Sequence, residues 1–259
     1  MKNFRNILFK TGLFLLVSTL FLSCNKDDDD DDQMNTQPGD VKIQFEYVFG
    51  SNQLPWNIGE TLRHPKTGDT LTFTEFSFYI SNVRLQKADG SYWTEEDSYH
   101  LICAKCQDAS QFSLKNVPAG DYVGLEFLLG VDSAANVSGA QSGALSPTFG
   151  MFWDWNTGYI MLKAEGSSPQ SPDGAFTFHL GGFSGPNSVL TPRTFPFFGK
   201  SITVNAEESP ELVFWANPAR MWHSSPSVSQ VNTIMMPGPE AQDMATDFFS
   251  NISLMEVME

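Results

Sequence analysis

Apolar and polar positions along the chain alternate mainly with period two. "VKIQFEYVF", residues 41–49, alternates throughout, as a strand with one face in a core should. "LTFTEFSFYISNVRLQ" alternates, slips at Glu75–Phe76, and resumes through Phe76, Phe78 and Ile80. A one-residue slip turns every later side chain to the other face, so the pattern predicts a β-bulge there. "KADGSYW" reads as a hairpin turn on Asp89–Gly90. "YHLIC", "FSL" and "YVGLEFLLG" are further strands, the last two joined by the turn "NVPAGD". Strands resume near 158–163, 175–180, 193–198, 201–204 and 212–215.

Two stretches depart from this rule. Residues 131–149 are rich in Ala, Ser, Gly and Asn without a period, which predicts a long surface loop of the kind that often carries function. "PGPEAQDMATDFFSNISLMEV" has helical spacing instead. Ala241, Met244, Ala245, Phe248, Phe249 and Ile252 fall on one face, with Glu240 and Asp243 in the first turn. The expected fold is therefore all-β: an antiparallel β-sandwich with long loops and a short C-terminal helix.

The N-terminus follows a different logic. Lys2, Arg5 and Lys10 precede an apolar run and "FLSC", a signal peptide over residues 1–23 that is too short to span a membrane. Cys24 at the +1 position resembles a bacterial lipoprotein box, with Phe21 where Leu is usual, and would become a lipidated membrane anchor. Residues 24–40 include six consecutive Asp, which repel one another and bury nothing, so this is a disordered acidic tether. A Lys followed by acids just after the lipidated Cys resembles the surface-export signal of Bacteroidetes lipoproteins. The expected location is the outer membrane, facing either the periplasm or the cell surface.

The folded domain spans 41–259, a normal size for one sandwich with a sizeable core. The formal charge is −15, and losing the three positive charges of the signal takes the mature chain to −18. Such a polyanion has no charge-driven affinity for nucleic acid and suits cations or neutral ligands.

There is no nucleophile elbow, phosphate-binding Gly loop or H-E-x-x-H, so the chain is read as non-enzymatic. The four histidines are His64, His100, His179 and His223. In "FTFHLGG" alternation turns His179 away from Phe178 and Leu180, toward a cleft or solvent. His100 shares a strand face with Ile102, and His223 lies in a polar break. With Met151, Met161 and Met221 available in an oxidising compartment, these point to a copper-type site. Cys103 and Cys106 form C-A-K-C, read as a local disulfide, a soft metal site joined by His100, or free thiols.

"FGMFWDWNTGYIMLKAEG", residues 149–166, concentrates large rings around polar residues. If extended, it puts Trp153 and Trp155 on one face and Asp154 and Asn156 on the other. It reads as a plug sealing the mouth of the 131–149 loop.

"FSFYISNVRL", "NVPAGDYVGLEFLLGVDSAANVSGAQSGAL", "GMFWDWNTGYIMLKAEGSSPQSP" and "FTFHLGGFSGPNSV" together resemble the Bacteroidetes branch of the MbnP-like family, named for a periplasmic protein associated with the copper chelator methanobactin. The resemblance implies a β-sandwich envelope protein with copper as its ligand, bound by histidines that a tryptophan oxidised to kynurenine can join. Carried over, His179 matches the family's "FHLG" histidine, and Trp153, Trp155 and Met151 belong to its "MFW-W" motif. "ANPARMWHSS" and Cys103 depart from the family pattern, leaving His223 and the Cys pair outside it. The expected function is a lipid-anchored copper-binding protein, with a copper-handling partner of unknown identity. The alternative is a surface module that binds glycans or protein without metal, which requires solvent-exposed Trp rings.

Overall fold

The computed structural model describes residues 36–106, 109–153 and 158–259; the expected signal peptide, Cys24 and the Asp run lie outside them. The described residues form fifteen strands and two α-helices. The strands are β1 (Gly39–Phe49), β2 (Leu54–Pro55), β3 (Thr61–Arg63), β4 (Thr70–Lys87), β5 (Tyr92–Thr94), β6 (Tyr99–Cys103), β7 (Gln111–Val117) and β8 (Gly120–Leu129), then β9 (Ile160–Ser167), β10 (Ala175–Gly181), β11 (Thr191–Pro196), β12 (Ile202–Val204), β13 (Glu211–Ala216), β14 (Thr233–Ile234) and β15 (Ser253–Met258). Helix α1 covers Ser133–Val137 and α2 covers Pro239–Phe249. β1 starts two residues before the expected domain boundary, so Gly39 and Asp40 belong to the fold, with Asp40 paired to Lys115. Among the described residues no helix is long and apolar enough to cross a membrane.

The strands make two curled sheets. The smaller has β1 at its centre, flanked by β7 and by β13, with β15 beyond β13. The larger is organised by β4. Ser77 and Phe78 pair with β6 on one edge and β9 on the other, and Ile80 pairs with β6 and β8 in the same way. β9 and β8 thus follow one another along one edge, and the sheet forks into a β9–β10–β14 arm and a β8 arm that carries β11 and β12. Most ladders are antiparallel as expected, but β1·β13 and β10·β14 are parallel. Both parallel pairs join strands far apart in sequence, so hydropathy could not reveal their direction.

The expected bulge exists. The β4·β9 register shifts between Phe73 and Glu75, so Phe73 and Phe76 both reach the core while Glu75 and Ser77 take the outer face. A second break lies between Ser81 and Arg84 in the β4·β8 ladder. There Asn82 adopts φ 55, a left-handed conformation that Asn tolerates better than most residues, and Val83 rather than Asn82 continues the apolar row after Ile80.

The core between the sheets is aromatic. Phe45 of the small sheet meets Phe78 edge-on at 5.5 Å and stacks on Phe214 at 5.3 Å. Phe73 reaches Phe176 at 5.1 Å and Trp222 at 6.2 Å. Helix α2 covers the remaining apolar surface, with Phe248 edge-on to Phe76 at 5.1 Å and to Phe78 at 5.4 Å. All six residues of its expected apolar face are buried. The helix stops at Phe249, however, and Ile252 is buried from the turn that leads into β15. Arg193 of β11 donates to the carbonyls of Phe249 and Ile252, holding that turn.

Residues 131–149 are not an open loop. Asp132 caps α1, and two 3-10 turns follow at Gly143–Leu145 and Pro147–Phe149. Asn136 is fully buried and bonds the Val131 carbonyl at 2.6 Å and the Tyr159 N–H at 2.8 Å. Tyr79 and Tyr159 donate their hydroxyls to the carbonyls of Ala144 and Leu145, each at 3.0 Å. Burial holds the Tyr79 hydroxyl far above its usual value, so it stays a neutral donor. The segment is a fixed cover over the outer face of the large sheet.

Truncating Phe248 to Ala removes the ring that joins α2 to β4. The expected cost is about 3–5 kcal/mol, read as a lower denaturation midpoint at unchanged m-value.

Candidate functional site

Cross-strand partners share a face, so the ladders locate each candidate residue. Ser77 of β4 faces Cys103 of β6 and Lys163 of β9, and Lys163 faces His179 of β10. These four form one row across the outer face of the large sheet. In the next row Glu75 lies opposite Glu165. Two carboxylates directly opposed would repel, and each has a cation: Lys105 pairs with Glu75, and Lys163 approaches Glu165 at 3.3 Å.

His179 is half-buried, and its Nε2 lies 2.7 Å from Glu165 Oε1. With Nε2–H donating to the carboxylate, Nδ1 is the ring's acceptor nitrogen. A carboxylate bonded to one imidazole nitrogen orients the ring for a metal at the other. Partial burial alone would raise the Glu165 carboxyl. The hydrogen bond from His179 and the nearby Lys163 charge outweigh it, and the carboxyl sits below its ordinary value.

The aromatic segment approaches the same face. Phe152 and Tyr159 form an isolated antiparallel bridge, with Ile160 N–H bonded to Met151 C=O at 2.9 Å, so residues 151–153 and 158–160 run antiparallel. Met151 and Tyr159 are buried, and Trp153 is only 4% exposed. The Trp153 ring lies against Gly181, where an added Cβ would meet Cη2 at 2.5 Å. Gly181 is two residues beyond His179 on the same strand, a separation of about 7 Å, and its missing Cβ is the space the indole occupies. Trp153 thus packs at the end of β10, two residues along the strand from His179. Trp155 lies outside the described residues. Lys163 completes the connection by donating to the Gly150 carbonyl at 3.4 Å.

The other sequence candidates lie elsewhere. His100 faces Ile80 and so lies on the opposite face of the sheet from His179, three ladders away. It stacks on Phe112 at 3.7 Å and meets Glu95 at 2.7 Å. His223 is exposed at the end of the 3-10 turn Pro218–Trp222, in a cleft with Lys66 and Arg220, whose charges disfavour a further cation. Cys103 and Cys106 are joined in a disulfide. His64, given no role from sequence, is buried in the wall of the His223 cleft. Its Nε2 donates to the Ala219 carbonyl at 2.8 Å, and its Nδ1 accepts from the N–H of Thr67 at 3.0 Å. Burial keeps it below its ordinary value and neutral.

Among the described residues no three His, Cys, Asp or Glu side chains are close enough to hold a metal together. The outer face offers His179 with Glu165. With Glu165 engaged at Nε2, the pair presents a single imidazole donor, Nδ1, of a kind that suits Zn, Cu, Fe or Ni. Glu165, Lys163 and Glu75 had no signal as site residues beyond their place on the polar side of alternating strands.

A curled β-sandwich with a His–carboxylate pair on one outer face, beside the Trp153 segment, is the class of protein these features define. The chain belongs to the MbnP family, whose profile matches residues 38–236. MbnP from Methylosinus trichosporium is similar in fold, with a TM-score of 0.54 at 16% identity over 78% of this chain and 82% of that one. Among curated proteins none matches the chain.

Two outcomes test the site's architecture. Gly181→Ala must displace the Trp153 ring, so its near-UV circular dichroism should change while the far-UV spectrum is retained; an unchanged near-UV spectrum would refute the packing. Because the Glu165 carboxyl is lowered from 4.5, its contribution to stability is present above that pH and lost as pH falls through the lowered value. Glu165→Gln should therefore lose less stability than wild type in denaturant titrations repeated from pH 5 down to pH 3.

Proposed function

We propose that this protein is a non-enzymatic copper-binding protein of the cell envelope, anchored to the outer membrane through a lipid on Cys24, with His179 as its principal ligand. The observation that carries the reading is the His179–Glu165 pair at 2.7 Å on the face where Trp153 packs against Gly181. Membership of the MbnP family supports it. Glu165 would hold the ring by its Nε2–H, leaving Nδ1 for the metal. Copper bound there would supply a redox-active soft Lewis acid, and the acidic mature chain would favour its approach electrostatically. Its role is to sequester or relay the ion to a partner. Trp153, 4% exposed, has no open face for a sugar to stack on, which weakens the glycan-binding alternative at that ring.

The test is metal stoichiometry. The full chain in detergent, equilibrated at sub-micromolar free copper, should retain copper by elemental analysis and lose it in His179→Ala. Glu165→Gln should weaken retention about 10–100-fold, as loss of an orienting partner does elsewhere. Equal copper in wild type and His179→Ala would overturn the assignment.

A further inference from the structure

The cleft that contains His223 has the opposite electrostatic character from the rest of the molecule. The chain carries 30 acidic and 15 basic residues, and most of its described cations meet a carboxylate or a carbonyl. Lys42, Arg84, Lys105, Lys115 and Lys163 each pair with Glu or Asp. Lys66 and Arg220 do not: among the described residues neither forms an ion pair, and both line one cleft of about 270 Å³ with Gly50, His64, Trp222 and His223. No acid lines that cleft. Asp69 and Asp247, in the neighbouring segments, are engaged by Ser227 and Val228 and by Ser224.

The site is built rather than incidental. The Lys66 ammonium is held by the carbonyls of Trp222 at 3.3 Å and His223 at 2.5 Å, which fixes its charge at the cleft wall without neutralising it. His64 is bonded through both ring nitrogens and forms a rigid, uncharged part of the lining. Arg220 is half-buried, where desolvation strengthens its attraction for an anion, and its planar guanidinium matches a carboxylate or phosphate through two parallel hydrogen bonds. Trp222, also in the wall, is fully buried, and its indole N–H has no acceptor among the described residues.

We propose that the cleft formed by Lys66, Arg220, Trp222 and His223 binds a small oxyanion, a carboxylate or phosphate group. This site is independent of the copper reading, and it uses His223 as part of the wall rather than as a metal ligand.

Isothermal titration of the full chain in detergent with sodium phosphate and, separately, sodium acetate tests it. Saturable binding of one anion per chain is expected, at least tenfold weaker in Arg220→Gln and unchanged in Lys200→Gln, which removes a cation from a different cleft. Arg220 has no ion-pair partner to lose, so its variant should fold; Lys66→Gln, which loses carbonyl contacts, serves only as a second check with melting recorded alongside. His179→Ala should bind the anion as wild type does. A response to phosphate alone or acetate alone supports the site and assigns its chemical class. Absence of saturable heat with both probes, or wild-type affinity in Arg220→Gln, would overturn it.

Discussion

β4 runs for 18 residues with partners on both edges, so the two breaks in its alternation decide which side chains the rest of the molecule can use. Without the shift between Phe73 and Glu75, the carboxylate of Glu75 would point into the aromatic core and Phe76 and Phe78 outward. Burying a carboxylate away from its cation costs several kcal/mol, and each exposed Phe forfeits roughly 1.5–3 kcal/mol. The shift avoids both. Because partners in a ladder share a face, the same shift puts Ser77, Lys163 and His179 in one outer row. The second break, at Asn82, restores Val83 and Leu85 to the core so that β8 can continue the sheet.

That outer face would be an ordinary solvated surface if nothing covered it. The 131–149 segment and the Trp153 segment close over it, fastened by buried apolar residues such as Val131, Leu145 and Met151 and by Asn136, Tyr79 and Tyr159, each of which bonds backbone groups in it or beside it. A partly desolvated imidazole with an ordered carboxylate results. Of the other histidines, His64 is fully bonded to backbone and His223 is open to solvent beside two cations, while His100 also meets a carboxylate, Glu95 at 2.7 Å, but with its ring stacked on Phe112.

Local patterns were the legible part of the sequence. Period-two alternation located the strands and the face of His179, and the slip at Glu75–Phe76 located the first bulge. The Asn82 break had a visible signal, the three-residue step from Ile80 to Val83, but it is as short as ordinary noise. Six apolar positions marked the face of α2, yet Ile252 lies past its end, because "SLMEVM" pairs with β13 once the chain turns. Apolar periodicity could not see the cover at 131–149, whose buried apolar residues Val131, Ala135 and Leu145 follow no regular period and whose other attachments are hydrogen bonds to backbone. Nor could it match His179 to Glu165, since that pairing depends on the exact register of β9 and β10, which the 168–174 turn sets and apolar spacing does not. The parallel β1·β13 ladder was hidden because its strands are far apart in sequence.

That ladder also has a mechanical meaning. β1 is the first element of the fold and lies between β7 and β13, bonded along both edges. Any pull entering the domain at Gly39 runs along the axis of β1, across the perpendicular hydrogen bonds of its antiparallel ladder with β7 and the slanted ones of its parallel ladder with β13. The load is shared by both ladders in shear, and no single terminal bond can open first and let the rest unzip. A chain held by its N-terminus is thereby fastened through the middle of a sheet and not by a loose edge.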